Sequence, residues 1–402
     1  MKTTRKLSAL TLAIASLGPL STLHAEQVDS ISAMLSKGET DLSFRYRYEY
    51  VDQDGIDKTA GASTLKTRLS YKSAAYKGFG FVVEMDDVTV VGNENYRTPT
   101  NGNTQYPIVA DPSGTDVNQV LISYTNDHLS SALGRQRINH AGQRFVGGVG
   151  WRQNEQTYDA ISFKLPKDAM LSLDYSYITK VNRIFGPENS TVQANSWDSD
   201  SHALIATVKP ADNHSISAFA YILDFENAAA NSSSTYGLEY KGKIGMLSLA
   251  ASYATQSDNG DNTSSYAADY MSAAVGIALA PINLSVGYEL LGSDDGDAAF
   301  RTPLATLHKF NGWADQFLGT PATGLEDMYV KVAGKLGKTK MAVVYHQFDA
   351  DEGSIDYGSE INFVATYPFS KNISAQFKYA AYDAEEFKSD TDKVWLTMNL
   401  KF

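Results

Sequence analysis

The stretch Asp41–Tyr50 reads DLSFRYRYEY. Leu42, Phe44, Tyr46, Tyr48 and Tyr50 alternate with Asp41, Ser43, Arg45, Arg47 and Glu49. A β-strand sends successive side chains to opposite faces, so this segment presents one apolar, aromatic face and one charged face. The same two-residue period recurs along the chain. Leu171, Leu173, Tyr175 and Tyr177 alternate with Ser172, Asp174 and Ser176. Ile282, Leu284, Val286, Tyr288 and Leu290 oppose Asn283, Ser285 and Glu289. The last segment sets Val394, Leu396, Met398, Leu400 and Phe402 against Lys393, Trp395, Thr397, Asn399 and Lys401. Counted this way, the chain holds 18 candidate strands, most of 8–12 residues.

The connections decide between architectures. Short turns such as 125–129, 210–213, 280–281, 334–337 and 368–371 alternate with long loops such as 87–115, 179–199 and 291–324. A soluble sandwich or propeller has no reason for this alternation, and no repeat of blade length is present. A transmembrane antiparallel β-barrel does: short turns face the periplasm, long loops face outside, and the strand number is even. The short turns carry Lys77, Lys164, Lys241, Lys243, Lys335, Lys338 and Lys371, whereas Asp294, Asp295, Asp297, Asp351, Glu352, Glu385 and Glu386 sit in long loops. Tyr48, Tyr50, Tyr175, Tyr177, Tyr221 and Tyr288 fall near the loop side, and Tyr71, Phe79, Phe81, Tyr240 and Tyr367 near the turn side. These form the two aromatic girdles expected at the two interfaces.

Composition agrees. The 402 residues contain 24 Tyr, 17 Phe, 4 Trp and no Cys, with a formal net charge of −12. Zero Cys removes disulfides, thiolate metal sites and Cys nucleophiles. An acidic chain is a poor partner for nucleic acid, which needs a basic face. Lys2, Arg5 and Lys6 precede the apolar run Leu7–Leu17, and Leu23-His24-Ala25 ends in a small residue. That is the pattern of a secretory signal peptide covering residues 1–25. Its removal would take the charge to −15. Residues 26–39 then read as a short periplasmic N-terminal segment, and 40–402 as a single barrel.

Arginine is unevenly spread: eight of the ten after residue 25 lie between 45 and 152. Arg45, Arg47 and Arg68 fall on the polar face of the first two strands with Lys66. Arg135 and Arg137 share one face of the fifth, Arg144 follows, and Arg152 begins the sixth. A lumen lined by these cations selects anions, because guanidinium stays charged and binds carboxylates bidentately. The alternative is an internal network in which Glu49, Glu84, Asp86 and Glu289 neutralise them.

Two segments carry a resemblance: 133–161, LGRQRINHAGQRFVGGVGWRQNEQTYDAI, and 302–330, TPLATLHKFNGWADQFLGTPATGLEDMYV. With RYRYE in the first strand, they resemble the alginate export family of bacterial outer-membrane porins. The resemblance implies an 18-stranded barrel with an Arg-lined lumen that passes acidic saccharides such as alginate-like uronates, and it singles out Arg135, Arg137, Arg144 and Arg152. It also implies an outer-membrane location amid lipid and lipopolysaccharide, and assembly signalled by the terminal Phe402.

Leu304, Leu307, Phe310, Trp313 and Phe317 recur at spacings of three and four, which predicts one amphipathic turn or short helix. His308, Lys309, Phe310 and Trp313 are therefore candidates for a loop that constricts the lumen, with plain loop packing as the alternative. No HExxH, GxSxG or P-loop is present, and the His residues show no metal spacing. The expectation is a monomeric diffusion channel with no cofactor and no catalytic residues. The alternative is a plugged barrel acting as a hydrolase or adhesin.

Overall fold

A computed structural model describes residues 26–165, 170–188, 190 and 193–402. The expected signal peptide, residues 1–25, lies outside them. Eighteen long strands follow in chain order. The first six are β1 (Glu39–Gln53), β2 (Ala60–Lys72), β3 (Phe79–Val90), β4 (Gly114–Thr125), β5 (Ser130–Gln136) and β6 (Thr157–Lys164). Next come β7 (Leu171–Asn182), β8 (Ser196–Ala211), β9 (His214–Leu223), β10 (Ser233–Ile244), β11 (Leu247–Asp258) and β12 (Ala267–Leu279). The last are β13 (Ile282–Leu291), β14 (Leu325–Leu336), β15 (Thr339–Asp349), β16 (Asp356–Pro368), β17 (Ile373–Ala384) and β18 (Thr391–Lys401).

Each strand pairs antiparallel with its neighbour, and β1 pairs with β18 from Ser43↔Lys401 to Gln53↔Thr391. The sheet is therefore closed. Closure leaves the sheet without an open edge, which a lipid environment demands. The outward positions form an apolar belt: Ile122, Leu133, Leu238 and Met328 are each more than half exposed. Inward positions near the periplasmic end are small or polar, such as Ser217, Ser252, Ala274 and Ser285. The expected antiparallel barrel of 18 strands, with alternating short turns and long loops, is the observed fold, and its apolar belt makes it an outer-membrane barrel. No described helix is long and apolar enough to cross a membrane.

The N-terminal segment lies against the periplasmic rim. Gln27–Val28 pairs in parallel with Ala75–Tyr76, and helix α1 (Ile31–Ser36) is capped by the Ser30 hydroxyl, which accepts from the Ala33 amide at 3.1 Å.

Three readings of the wall change. The sixth strand begins at Thr157, not near Arg152, because residues 137–156 leave the sheet and fold into the lumen. Arg135 faces outward, since it stands directly opposite Val120, which is 48% exposed, and two residues from the exposed Leu133. Between them Gly134 takes φ +123°, where a Cβ would sit 2.3 Å from the Val120 carbonyl oxygen, so only glycine fits. Tyr221 does not belong to the outer girdle. It is 1% exposed and stacks inside on Phe145 at 5.7 Å. Here both faces of β9 are apolar, because loop residues fill the lumen at that level.

Candidate functional site

The loops 137–156 and 292–324 meet inside the barrel. Val146 and Leu304 form a parallel bridge; the Gly147 amide donates to the Leu304 carbonyl at 2.8 Å and the Thr306 amide to the Gln143 carbonyl at 3.0 Å. The amphipathic spacing read from 304–317 corresponds to a single 3-10 turn, Leu307–Lys309, with Leu304, Trp313 and Phe317 buried. Around it, Phe145, Tyr270, Phe300, Phe348 and Trp395 make an aromatic core in the outer part of the lumen.

The early strands supply a charged wall that holds the first loop. Arg68 grips Asp86 with two 2.6 Å hydrogen bonds and also meets Glu155 at 2.9 Å. Lys66 lies 2.9 Å from Asp86. Arg137, just past the end of β5, turns inward and donates to both Glu84 and Glu155. Burial alone would raise the Glu155 carboxyl, but Arg137, Arg68 and Lys66 hold it well below the usual range. Arg45 donates to the carbonyls of Gly150, Trp151 and Arg152 at 3.0–3.3 Å. Arg47 donates to the Trp151 carbonyl and lies 3.5 Å from Asp111. These two arginines thus fasten the backbone of the loop to β1.

Arg152 bridges the two loops and the wall, meeting Glu49 at 2.9 Å and Asp315 at 3.3 Å. Asp315 also accepts from His308 Nδ1 at 2.6 Å and Lys393 at 3.1 Å. Burial opposes its ionisation, yet His308, Lys393 and Arg152 hold its carboxyl well below the usual range. His308 stacks on Trp151, ring centroids 3.4 Å apart, and its Nε2 accepts from Lys378. Burial pushes the His308 imidazole well below its ordinary value, against the pull of Asp315. The Trp313 and Ala314 amides both donate to Glu360 of β16. Arg144 joins Glu289 at 2.7 Å, Thr302 at 3.0 Å and Asn311 at 3.3 Å.

Of the sequence candidates, Arg47, Lys66, Arg68, Arg137, Arg144 and Arg152 all come together in the lumen, but each is tied to carboxylates. Arg45 is tied to carbonyls. Arg135 stands apart on the outer face, with Asp159 at 2.9 Å and Asp116 at 3.6 Å. Among the constriction candidates, His308 and Trp313 are buried anchors, Phe310 lies 4.8 Å from the Arg144 guanidinium, and Lys309 is exposed. Burial lowers the Lys309 ammonium, and Lys241 of β10 and Lys331 of β14 lower it further. Glu239 acts in the opposite sense and is paired with Lys241 at 2.7 Å.

Sequence reasoning missed Glu155, Asp111, Asp315, Glu360 and Lys378. It also missed Arg301, which with Arg144, Thr302, Asn311 and Phe317 lines a cavity of about 160 Å³ between the loops. Glu155 stands in the WRQNEQ run three residues after Arg152, close enough to have been read as its companion. No group of three or more His, Asp or Glu among the described residues could hold a metal ion.

No protein-family model matches the chain, and no curated protein matches it. Solved structures do. OccAB4 of Acinetobacter baumannii superposes with a TM-score of 0.69 at 15% identity, covering 90% of this chain and 98% of its own. OccK8 (OprE) of Pseudomonas aeruginosa gives 0.70 at 13% identity, covering 91% and 98%. OccD3 (OpdP) of Pseudomonas aeruginosa gives 0.66 at 15% identity, covering 90% and 91%. The likeness is one of fold, and it runs over nearly the whole barrel.

Proposed function

We propose that the protein is a monomeric outer-membrane diffusion channel that prefers small anions and carboxylate-bearing solutes, uronate saccharides among them. The Occ barrels that share its fold are outer-membrane porins, which supports the channel reading. The observation that carries the anion preference is Lys309, exposed on the inner loop and held by the Gly142 carbonyl with no carboxylate in ion-pair distance among the described residues, with Lys331 of β14 and the Glu239-paired Lys241 of β10 near it. The arginines found from sequence are largely neutralised by carboxylates. Their role is to build the constriction, while Lys309 and the half-buried Lys331 supply the field a passing solute meets. The resemblance of segments 133–161 and 302–330 to the alginate export family supports acidic saccharides as the cargo. The apolar belt takes lipid and lipopolysaccharide, and Phe402, packed edge-on against Phe44 at 6.1 Å, is offered to the barrel-assembly machinery.

Reversal potentials across a planar bilayer in a salt gradient test this reading. An anion-selective potential is expected, moving toward zero when Lys241, Lys309 and Lys331 are replaced by Gln. Cation selectivity of the parent protein overturns the preference. A folded barrel with no conductance overturns the channel and favours a plugged hydrolase or adhesin.

A further inference from the structure

The charges the constriction does not use are sorted along the barrel axis. At the periplasmic mouth, Lys243, Lys335 and Lys340 are exposed. They occupy the inward parity of their strands: Lys243 follows Ser233 and Thr235, Lys335 follows Asp327 and Ala333, and Lys340 precedes Ala342 and Val344, all inward except where exposed at the mouth. Lys335 and Lys340 are direct cross-strand partners. Like charges set opposite each other destabilise a sheet, so this pair concentrates positive potential at a cost to stability. Among the described residues no carboxylate lies within ion-pair distance of Lys243, Lys335 or Lys340; Glu239 and Asp41 are engaged by Lys241 and Lys401.

The outer mouth has the opposite sign. The connections after β13, β15 and β17 expose Asp295, Asp297, Glu352, Glu385 and Glu386, with Lys388 the one base in segments 292–297, 350–356 and 385–390. Between the mouths lies the constriction, where Arg68, Arg144 and Arg152 are matched by Asp86, Glu289, Glu49 and Asp315.

We propose that the pore is bipolar along its axis and therefore rectifies ionic current. This rests on the channel reading above and adds to it a direction. Cations collect at the acidic outer mouth and anions at the lysine mouth. With the outer compartment positive, the field drives both carriers toward the paired, near-neutral constriction, where they accumulate and conduct. With the outer compartment negative, both are drawn away from it, and the pore is depleted. The effect needs each mouth's field to span the lumen, so it belongs to low salt, where the Debye length is about 10 Å at 0.1 M, and fades at about 1 M, where it is about 3 Å.

The test is a current–voltage curve of the full-length barrel in planar bilayers, in KCl at about 0.1 M and about 1 M. Orientation is read from the same channels. The chain has no Cys, so Ser354→Cys, in an outer loop and uncharged, gives a unique thiol; biotinylated, it is reached by streptavidin, too large for the pore, only from the outer-loop side. Current at low salt is expected to be at least about 1.5-fold larger with the outer side positive, and nearly symmetric at high salt. Replacing Lys243, Lys335 and Lys340 by Gln is expected to abolish the asymmetry. A symmetric curve at low salt, the reverse polarity, or asymmetry that survives the triple replacement each overturns the proposal while leaving the channel standing. A folded barrel that passes no current overturns both.

Discussion

Asp315→Asn tests how the inner loops are held. The carboxylate is 5% exposed and shared by His308 at 2.6 Å, Lys393 at 3.1 Å and Arg152 at 3.3 Å. Asparagine keeps the shape and can still accept from His308, but it leaves Lys393 buried without a carboxylate. Arg152 retains Glu49 at 2.9 Å. Breaking a buried pair by removing one partner costs about 3–5 kcal/mol, and the surviving Glu49 contact puts this site near the lower end, about 3 kcal/mol. At about 1.4 kcal/mol per decade, the population with the loop undocked should rise about 150-fold. The readout is hydrogen exchange at the Trp313 and Ala314 amides, whose acceptor Glu360 is unchanged. Their exchange should accelerate by about two decades while amides in mid-strand, such as Leu238, keep their rates. An acceleration below about threefold would refute the idea that Asp315 anchors the loop.

The docked loop should also be acid-sensitive. Burial holds His308 well below its ordinary value, with Lys378 and Arg152 adding to this against the pull of Asp315. Below about pH 6.5 the undocked loop takes up a proton at His308 that the docked loop refuses, so the His308 contribution to docking falls by up to about 1.4 kcal/mol per pH unit. Asp315, whose folded value is depressed, adds a further loss only below about pH 4, where an undocked carboxylate protonates. Exchange at Trp313 between pH 7.5 and 5 should report the first limb, and His308→Gln should flatten it. Glu155→Gln leaves Lys66 and Arg68 sharing Asp86 and Arg137 with Glu84 alone, and should cost about 3 kcal/mol, seen as a lower midpoint of heat-modified mobility; Glu94→Gln, on the exposed loop, should not move it. Leu238→Lys, at mid-belt, should lower barrel stability by about 2–4 kcal/mol in refolding titrations, whereas Ala274→Lys, facing the lumen, should lower it far less.

The wall of this protein is written plainly in its sequence, because an amphipathic strand with lipid on one side has little freedom. Asp41–Tyr50 fixed its own two faces, and Val394–Phe402 did the same at the seam. Alternation fails where both sides of a strand are dry. Phe219 and Tyr221 look like lipid-facing aromatics, yet they line a lumen filled by Phe145. Parity fails again where a strand stops. Arg135 and Arg137 have the same parity, but β5 ends at Gln136, so one faces outward and the other turns in with the loop. The counterions were harder still. Asp315 and Glu155 meet their partners across separations of 78 and 87 residues, to Lys393 and Arg68, and no local pattern marks such pairs.

The lumen network also bears on assembly. Arg152 and Glu155 belong to the first half of the chain, and they contact β1 and β2; Asp315 and His308 contact β17 and β18. The same few loop residues therefore touch both strands of the closing seam and their neighbours. Their charges are satisfied only when β1 and β18 have met, in the register Tyr46↔Met398. A barrel closed one strand short, or slipped by two residues, would strand several buried ions. The interior thus acts as a proofreading element for closure.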